Sequence, residues 1–302
     1  MAASRSPFAD TDFVWGPPRS ALCWVDVDNL GTTRGGFEGL DMPGRYLTTE
    51  EPDPLGAQPH YSPMRPPWGI IGENPRKGGV PVLFRRFIAL EPTENAILSF
   101  ARRCGMLTSG TLIQRTVSRD EAVGHLAEPL ALWRTEILAM RRMVEVWDAV
   151  QDSKLDVLVQ LVKMRRWQEG ARVSYQGSRR LYAILNSAKR AVAESSVRRR
   201  ALFLIQKIVN DRLKAHTAPI LSYVSAPTQS PAVGGNQLRL QVAPINLIGA
   251  LWLQFARGIE GNREYRRCDA CGEWLEIAPG SYTKRVRFCR PVCRVNFHRR
   301  KR

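Results

Sequence analysis

The chain has 302 residues, a formal net charge of +17 at pH 7 and 44% hydrophobic residues. That apolar content excludes a globally disordered chain, and the charge points to a polyanionic partner, nucleic acid ahead of an anionic membrane surface. Residues 1–20 mix charges and prolines, so no secretory signal is expected, and the apolar run 245–256 is too short to span a bilayer. The expectation is a cytoplasmic protein with no membrane partner, whose cysteines bind metal rather than form disulfides.

Residues 1–81 hold 12 of the 20 prolines and 11 of the 23 glycines, which rules out long helices there. A short strand is predicted over 21–27, where Cys23, Val25 and Val27 alternate with Trp24 and Asp26. Residues 50–81 read as an extended arm.

Helices follow. Thr93 is a good N-cap, Ile97, Leu98, Ala101 and Cys104 share a face, and Gly105 ends the helix. Ser118-Arg-Asp-Glu121 has the pattern of a capping box. From Leu130 to about Gln151, Leu130, Trp133, Ile137, Met140, Val144 and Trp147 recur at alternating three and four, an inward stripe. Further helices are predicted over 153–167, 178–194 and 196–214, the last with Ala201, Leu204, Ile205, Ile208 and Leu213 inward. Residues 216–237, rich in Pro, Ser, Gly and Thr, read as a linker, with a short strand over 238–242. An apolar helix runs from about Pro244 to Ile259.

The chain therefore divides into four. Residues 1–81 form a Pro/Gly-rich N-terminal region with short strands, and 82–215 a helical core. Residues 216–243 are linker and strand, and 244–302 are a helix followed by a cysteine-rich end with a basic tail. The fold class is mainly α, a helical bundle-like core with a small C-terminal treble-clef-like zinc finger.

The cysteine-rich end carries the chemistry. Cys268 and Cys271 stand at C-x2-C, and Cys289 and Cys293 at C-x3-C after 17 intervening residues. Paired short spacings bring four thiolates to one tetrahedral ion, so structural Zn²⁺ is the expected cofactor. Gly272 suits the backbone just after the second ligand, strands are predicted over 273–277 and 284–288, and Cys289 opens a last helix with Pro291 in its first turn. From Arg263 to Arg302 there are 12 Lys/Arg against 4 Asp/Glu. The expected nucleic-acid contacts are Lys284, Arg285, Arg287, Arg290, Arg294, His298, Arg299, Arg300, Lys301 and Arg302, with DNA favoured over RNA. The helical region is left as a surface for an effector, a second copy of the chain or a protein partner.

The stretch from Phe84 to Thr108, the helix over 245–259 and C-x-x-C-G-E-W-L followed by basic residues and two further cysteines resemble the bacterial ABATE-domain/CGNR zinc-finger proteins. Arg294-Val295-Asn296 stands where that signature has Gly-Asn-Arg. The resemblance implies a zinc-stabilised nucleic-acid-binding module acting in transcriptional regulation, with the four cysteines as ligands. Two alternatives are kept beside it. Arg119 and His125 have the spacing of the HEPN-type ribonuclease motif, with His125 as base toward a 2′-OH and Arg119 on the phosphate. The basic surface also suits a structural subunit docked on a ribonucleoprotein.

Overall fold

A computed structural model describes residues 22–27, 37–38, 44–49, 82–108, 111–118, 121–167, 170–178, 182–184, 196–224, 237–277, 287–289 and 291–300. The proposed arm over 50–81, Arg119, Lys284, Arg285, Arg290, Lys301 and Arg302 lie outside the described residues. Among the described residues no helix is long and apolar enough to cross a membrane.

Helices build the packed centre. They are α1 (Leu83–Ile88), α2 (Glu94–Cys104), α3 (Leu130–Gln151), α4 (Leu155–Leu161), α5 (Val197–His216), α6 (Leu247–Glu260) and α7 (Pro291–Arg299). The predicted stripe of α3 is its buried face. Trp133, Ile137, Met140 and Val144 are at most 1% exposed and join Phe84, Phe87, Phe100, Trp252 and Phe255 in one core. Helices α1, α5 and α6 pack on α3. The caps expected at the ends of α2 are present: Thr93 Oγ1 accepts from Ala96 N and Gly105 takes φ +89°; Ser196 Oγ also accepts from Arg199 N at the start of α5.

Other helix ends are satisfied by distant side chains. Gln254 Oε1 accepts from Leu83 N and Phe84 N at 3.1 and 3.4 Å, capping the start of α1. Arg141 of α3 donates to Ile88 O and Leu90 O at 2.8 and 2.6 Å, closing its other end.

Small antiparallel sheets surround the helices. Strands β1 (Leu22–Val27), β2 (Phe37–Glu38), β3 (Gly44–Thr49), β4 (Thr111–Ser118) and β5 (Glu121–Pro129) form one sheet in the order β1-β3-β5-β4-β2. The capping box over 118–121 is therefore corrected. Ser118 pairs with Glu121 at the end of the β4–β5 ladder, because the β-branched Thr111, Ile113, Thr116 and Val117 favour a strand. His125 lies in β5 opposite Ile113, not on the helix that the ribonuclease motif requires.

The predicted helix over 153–167 is also shortened. It stops at Leu161, and β6 (Val162–Trp167) pairs with β7 (Gly170–Tyr175), which pairs with β8 (Tyr182–Ile184) inside the predicted 178–194 helix. Val162, Met164, Val173 and Tyr175 alternate at period two, and Gly170 favours a turn over a continuous helix. The supposed linker begins with another strand, β9 (Thr217–Val224), paired with β10 (Gln237–Pro244). Pro219 is tolerated because a two-stranded ribbon consists of edge strands.

Two buried carboxylates tie these layers together. Glu128 accepts hydrogen bonds from Leu107 N at 2.9 Å, Thr108 N, Thr108 Oγ1 at 2.6 Å and Trp133 Nε1 at 3.0 Å. Burial pushes its carboxyl above the ordinary value, against the pull of those donors. Glu136 of α3 pairs with Arg212 of α5 at 2.7 Å and accepts from Trp252 of α6.

The α5–α6 joint carries a pH response. Asn246 Oδ1 accepts from Gly249 N at 2.9 Å, so its amide nitrogen faces His216 Nδ1 at 3.0 Å. That bond requires an unprotonated Nδ1. Burial, then the Arg212 charge, lowers the His216 value from 6.5. A depressed histidine binds fewer protons when folded, so its contribution is complete above the unfolded value and is lost as pH falls through the folded one. The urea midpoint is expected to drop between about pH 7 and 5, and His216→Ala to flatten that part of the slope.

Candidate metal centre and basic helix

Strand β11 (Glu264–Arg267) pairs with β12 (Trp274–Ile277), Arg267 opposite Trp274, so the hairpin tip is the segment carrying Cys268 and Cys271. The strand expected over 273–277 is present, but its partner precedes the cysteines. The expected partner over 284–288 lies mostly outside the described residues, and Arg287 and Phe288, which are described, are not in a strand. Cys268 N donates to Glu273 O and Gly272 N to Cys268 O, closing a tight turn. Gly272 has φ +74°, the left-handed conformation expected after the second cysteine.

Segment 287–289 returns beside this turn, with Asp269 N donating to Arg287 O at 2.9 Å and Arg287 Nε to Asp269 Oδ2 at 2.6 Å. Cys289 stands just before α7, Pro291 is its first residue and Cys293 lies in its first turn.

This topology gathers all four predicted ligands. The sulfurs of Cys268, Cys271, Cys289 and Cys293 lie within 4.8 Å of one another, close enough to hold a metal ion. Cys289 Sγ is 3.3 Å from Cys271 Sγ and 3.4 Å from Cys293 Sγ. With metal–sulfur bonds near 2.3 Å, a zinc tetrahedron places its sulfurs about 3.8 Å apart, so the cluster fits such an ion with small adjustments.

The electrostatics suit a cation. Burial raises the Cys268 thiol, but N–H groups of Cys289, Ala270 and Cys271 outweigh it and bring it down to about 6. Burial and the adjoining thiols of Cys271, Cys293 and Cys268 push Cys289 up. Four crowded thiols cannot all ionise unaided, and a divalent ion relieves that repulsion.

The hairpin is seated on the helical core. Arg85 of α1 donates through both Nη atoms to the Asp148 carboxylate at 2.6 Å each. Its guanidinium lies 4.9 Å from the Tyr265 ring centroid and 5.0 Å from that of Trp274. Arg86 Nε meets Glu273 Oε2 at 2.7 Å, and the Tyr265 ring stands edge-on to Phe84. A Cβ at Gly258 would lie 2.2 Å from Tyr265 Oη, so only glycine admits this approach.

Helix α7 has no buried residue. Arg294, His298, Arg299 and Arg300 are exposed, as are Val292 and Val295. Arg287 is placed differently from these expected contacts. Its side chain is paired with Asp269 and lies over Phe288 and Phe297, 5.8 and 5.4 Å from their centroids. Sequence reasoning missed Arg85 as the joint; its only signal was a basic pair inside the apolar run 82–90.

Comparison of the chain with models of known families, with curated proteins and with solved structures finds no match.

Proposed function

We propose that the chain is a zinc-stabilised nucleic-acid-binding protein of the transcriptional-regulator kind, with the metal structural. The observation that carries this reading is a four-cysteine cluster at the root of a helix that has no buried residue and ends in basic residues. Four thiolates from two short spacings are the donor set of a structural zinc site, and no ligand position is left for a reacting water. Zinc would supply only rigidity here. Cys268 and Cys271 would hold it from the hairpin, and Cys289 and Cys293 would tie α7 to that hairpin.

The surface so presented supports phosphate contact. Arg294, Arg299 and Arg300 are exposed cations on one short rigid element, and the chain's excess of 17 positive charges favours encounter with a polyanion. The ABATE/CGNR resemblance points the same way.

The test is a salt titration of the zinc-loaded full chain with labelled oligonucleotides. Binding is expected to weaken steeply between about 50 and 200 mM salt. The triple substitution Arg294→Gln, Arg299→Gln, Arg300→Gln is expected to weaken it across sequences. It should also reduce the duplex-DNA slope by about 0.9 for each phosphate that is no longer neutralised. An unchanged slope would remove α7 as the contact surface.

A further inference from the structure

Beside the metal cluster, the turn carrying Cys271 and the outer face of α7 enclose a cleft of about 320 Å³, lined by Asp269, Ala270, Cys271, Asn296, Phe297 and Arg300 and closed by Cys293. We propose that this cleft receives one unstacked nucleobase of single-stranded nucleic acid, an inference that rests on nucleic-acid binding by the finger.

Its size is at the small end of ligand pockets, which suits a single ring system rather than a large cofactor. Its chemistry suits a base rather than a phosphate. Asp269 places a carboxylate in the lining; Arg287 holds its Oδ2 at 2.6 Å, and its second oxygen can accept from an exocyclic amine or a ring N–H, a donor that a phosphate lacks. Asn296 brings an amide that both donates and accepts, as the paired donor and acceptor of an adenine edge require.

Phe297 supplies an aromatic ring whose position is fixed on other sides. Its centroid is 5.1 Å from that of Phe288 and 5.8 Å from that of His298, and Arg287 lies over it. A ring fixed in advance stacks a base at little entropic cost. Arg300 lines the cleft and Arg294 is exposed on the same helix, so cations are available for the flanking phosphates.

A base inside a duplex has its faces covered by its neighbours and cannot enter a walled cleft. Entry therefore selects single strands, where bases are free to splay out onto aromatic side chains. The shared ligand is the nucleobase; RNA and single-stranded DNA are its two sources.

The test uses the zinc-loaded full chain and fluorescence anisotropy with an oligonucleotide of mixed sequence. The probe is prepared as single-stranded RNA, as single-stranded DNA, as the duplex and as a single strand with abasic positions. Phe297→Leu is expected to weaken single-strand binding about tenfold and Asn296→Ala about fivefold. Neither variant removes charge, so the salt slope stays as in the wild type. Abasic strands are expected to bind as weakly as the Phe297→Leu protein binds intact ones.

Zinc content and circular dichroism show whether each variant keeps its fold. Should Phe297→Leu lose zinc, the exposed Asn296 decides. A preference for RNA or DNA over the other identifies the source. Equal binding of abasic and intact strands, or wild-type affinity in Asn296→Ala, overturns the base pocket while leaving nucleic-acid binding in place. Absence of binding to every probe overturns both.

Discussion

Cys289→Ser is expected to abolish metal binding and unfold the finger while sparing the helical core. Its sulfur lies nearest the others, 3.3 and 3.4 Å from Cys271 and Cys293. A serine hydroxyl does not replace a thiolate on a soft-tolerant ion. Among the described residues helix α7 packs only through half-buried side chains, Cys293 and Phe297. It is nine residues long with no buried residue, and isolated helices under about 12 residues are marginal in water. Metal binding in such modules is folding energy, about 10 to 16 kcal/mol in isolated zinc-finger peptides, which exceeds what a small hairpin supplies alone. Elemental analysis of purified protein is expected to fall from one zinc per chain to none. Hydrogen exchange over 268–277 and Pro291–Arg299 is expected to lose protection while Trp133 and its neighbours in α3 keep theirs. Full zinc content in the variant would remove Cys289 from the ligand set.

Arg85→Ala is expected to cost about 3 kcal/mol and to loosen the hairpin from the core. The side chain is 6% exposed and bridges the Asp148 carboxylate and the Tyr265 and Trp274 rings. Alanine removes a bidentate pair and three cation–ring contacts and leaves a cavity among Phe84, Tyr265 and Trp274. Asp148 is half open to solvent, so its rehydration limits the loss. Arg85→Lys keeps the charge but not the planar fork, and is expected to recover only part of the stability. Denaturant melts give the size of the effect, and faster exchange at Tyr265 and Leu275 gives its place. A loss under about 0.5 kcal/mol in Arg85→Ala would show that the hairpin is held by other contacts.

These two positions mark the boundary of what the chain reveals on its own. The ligands were legible because C-x2-C and C-x3-C are local patterns with a single economical explanation. The α3 stripe and the cap at Thr93 were legible for the same reason: each rests on a local pattern along one helix. Arg85 was not, because its partners lie at Asp148, Tyr265 and Trp274, and no local pattern predicts such a meeting. Gln254 over α1 and Arg141 beneath it are equally non-local.

The misread segments share another cause. Residues 162–167 and 182–184 are short runs inside the predicted helices whose apolar positions do not exclude a pleat, and strand pairing decided them, as it did for the capping-box pattern over 118–121. In the finger, the knuckle and helix were foreseen, but β12 pairs backward with Glu264–Arg267, whose alternation of Tyr265 with charged neighbours is too brief to read. The cleft beside Cys271 depends on Asp269 and Asn296 meeting across that fold, so no spacing announces it.

On the proposed reading a metal ion fixes α7 as a surface for nucleic acid. Its most direct test is one titration, run on full-length protein before and after a chelator strips the metal, with zinc measured in each sample. One zinc per chain, loss of oligonucleotide binding on chelation and its return when zinc is restored are expected. Metal-free protein that binds the oligonucleotide as tightly as the zinc-loaded form would contradict it.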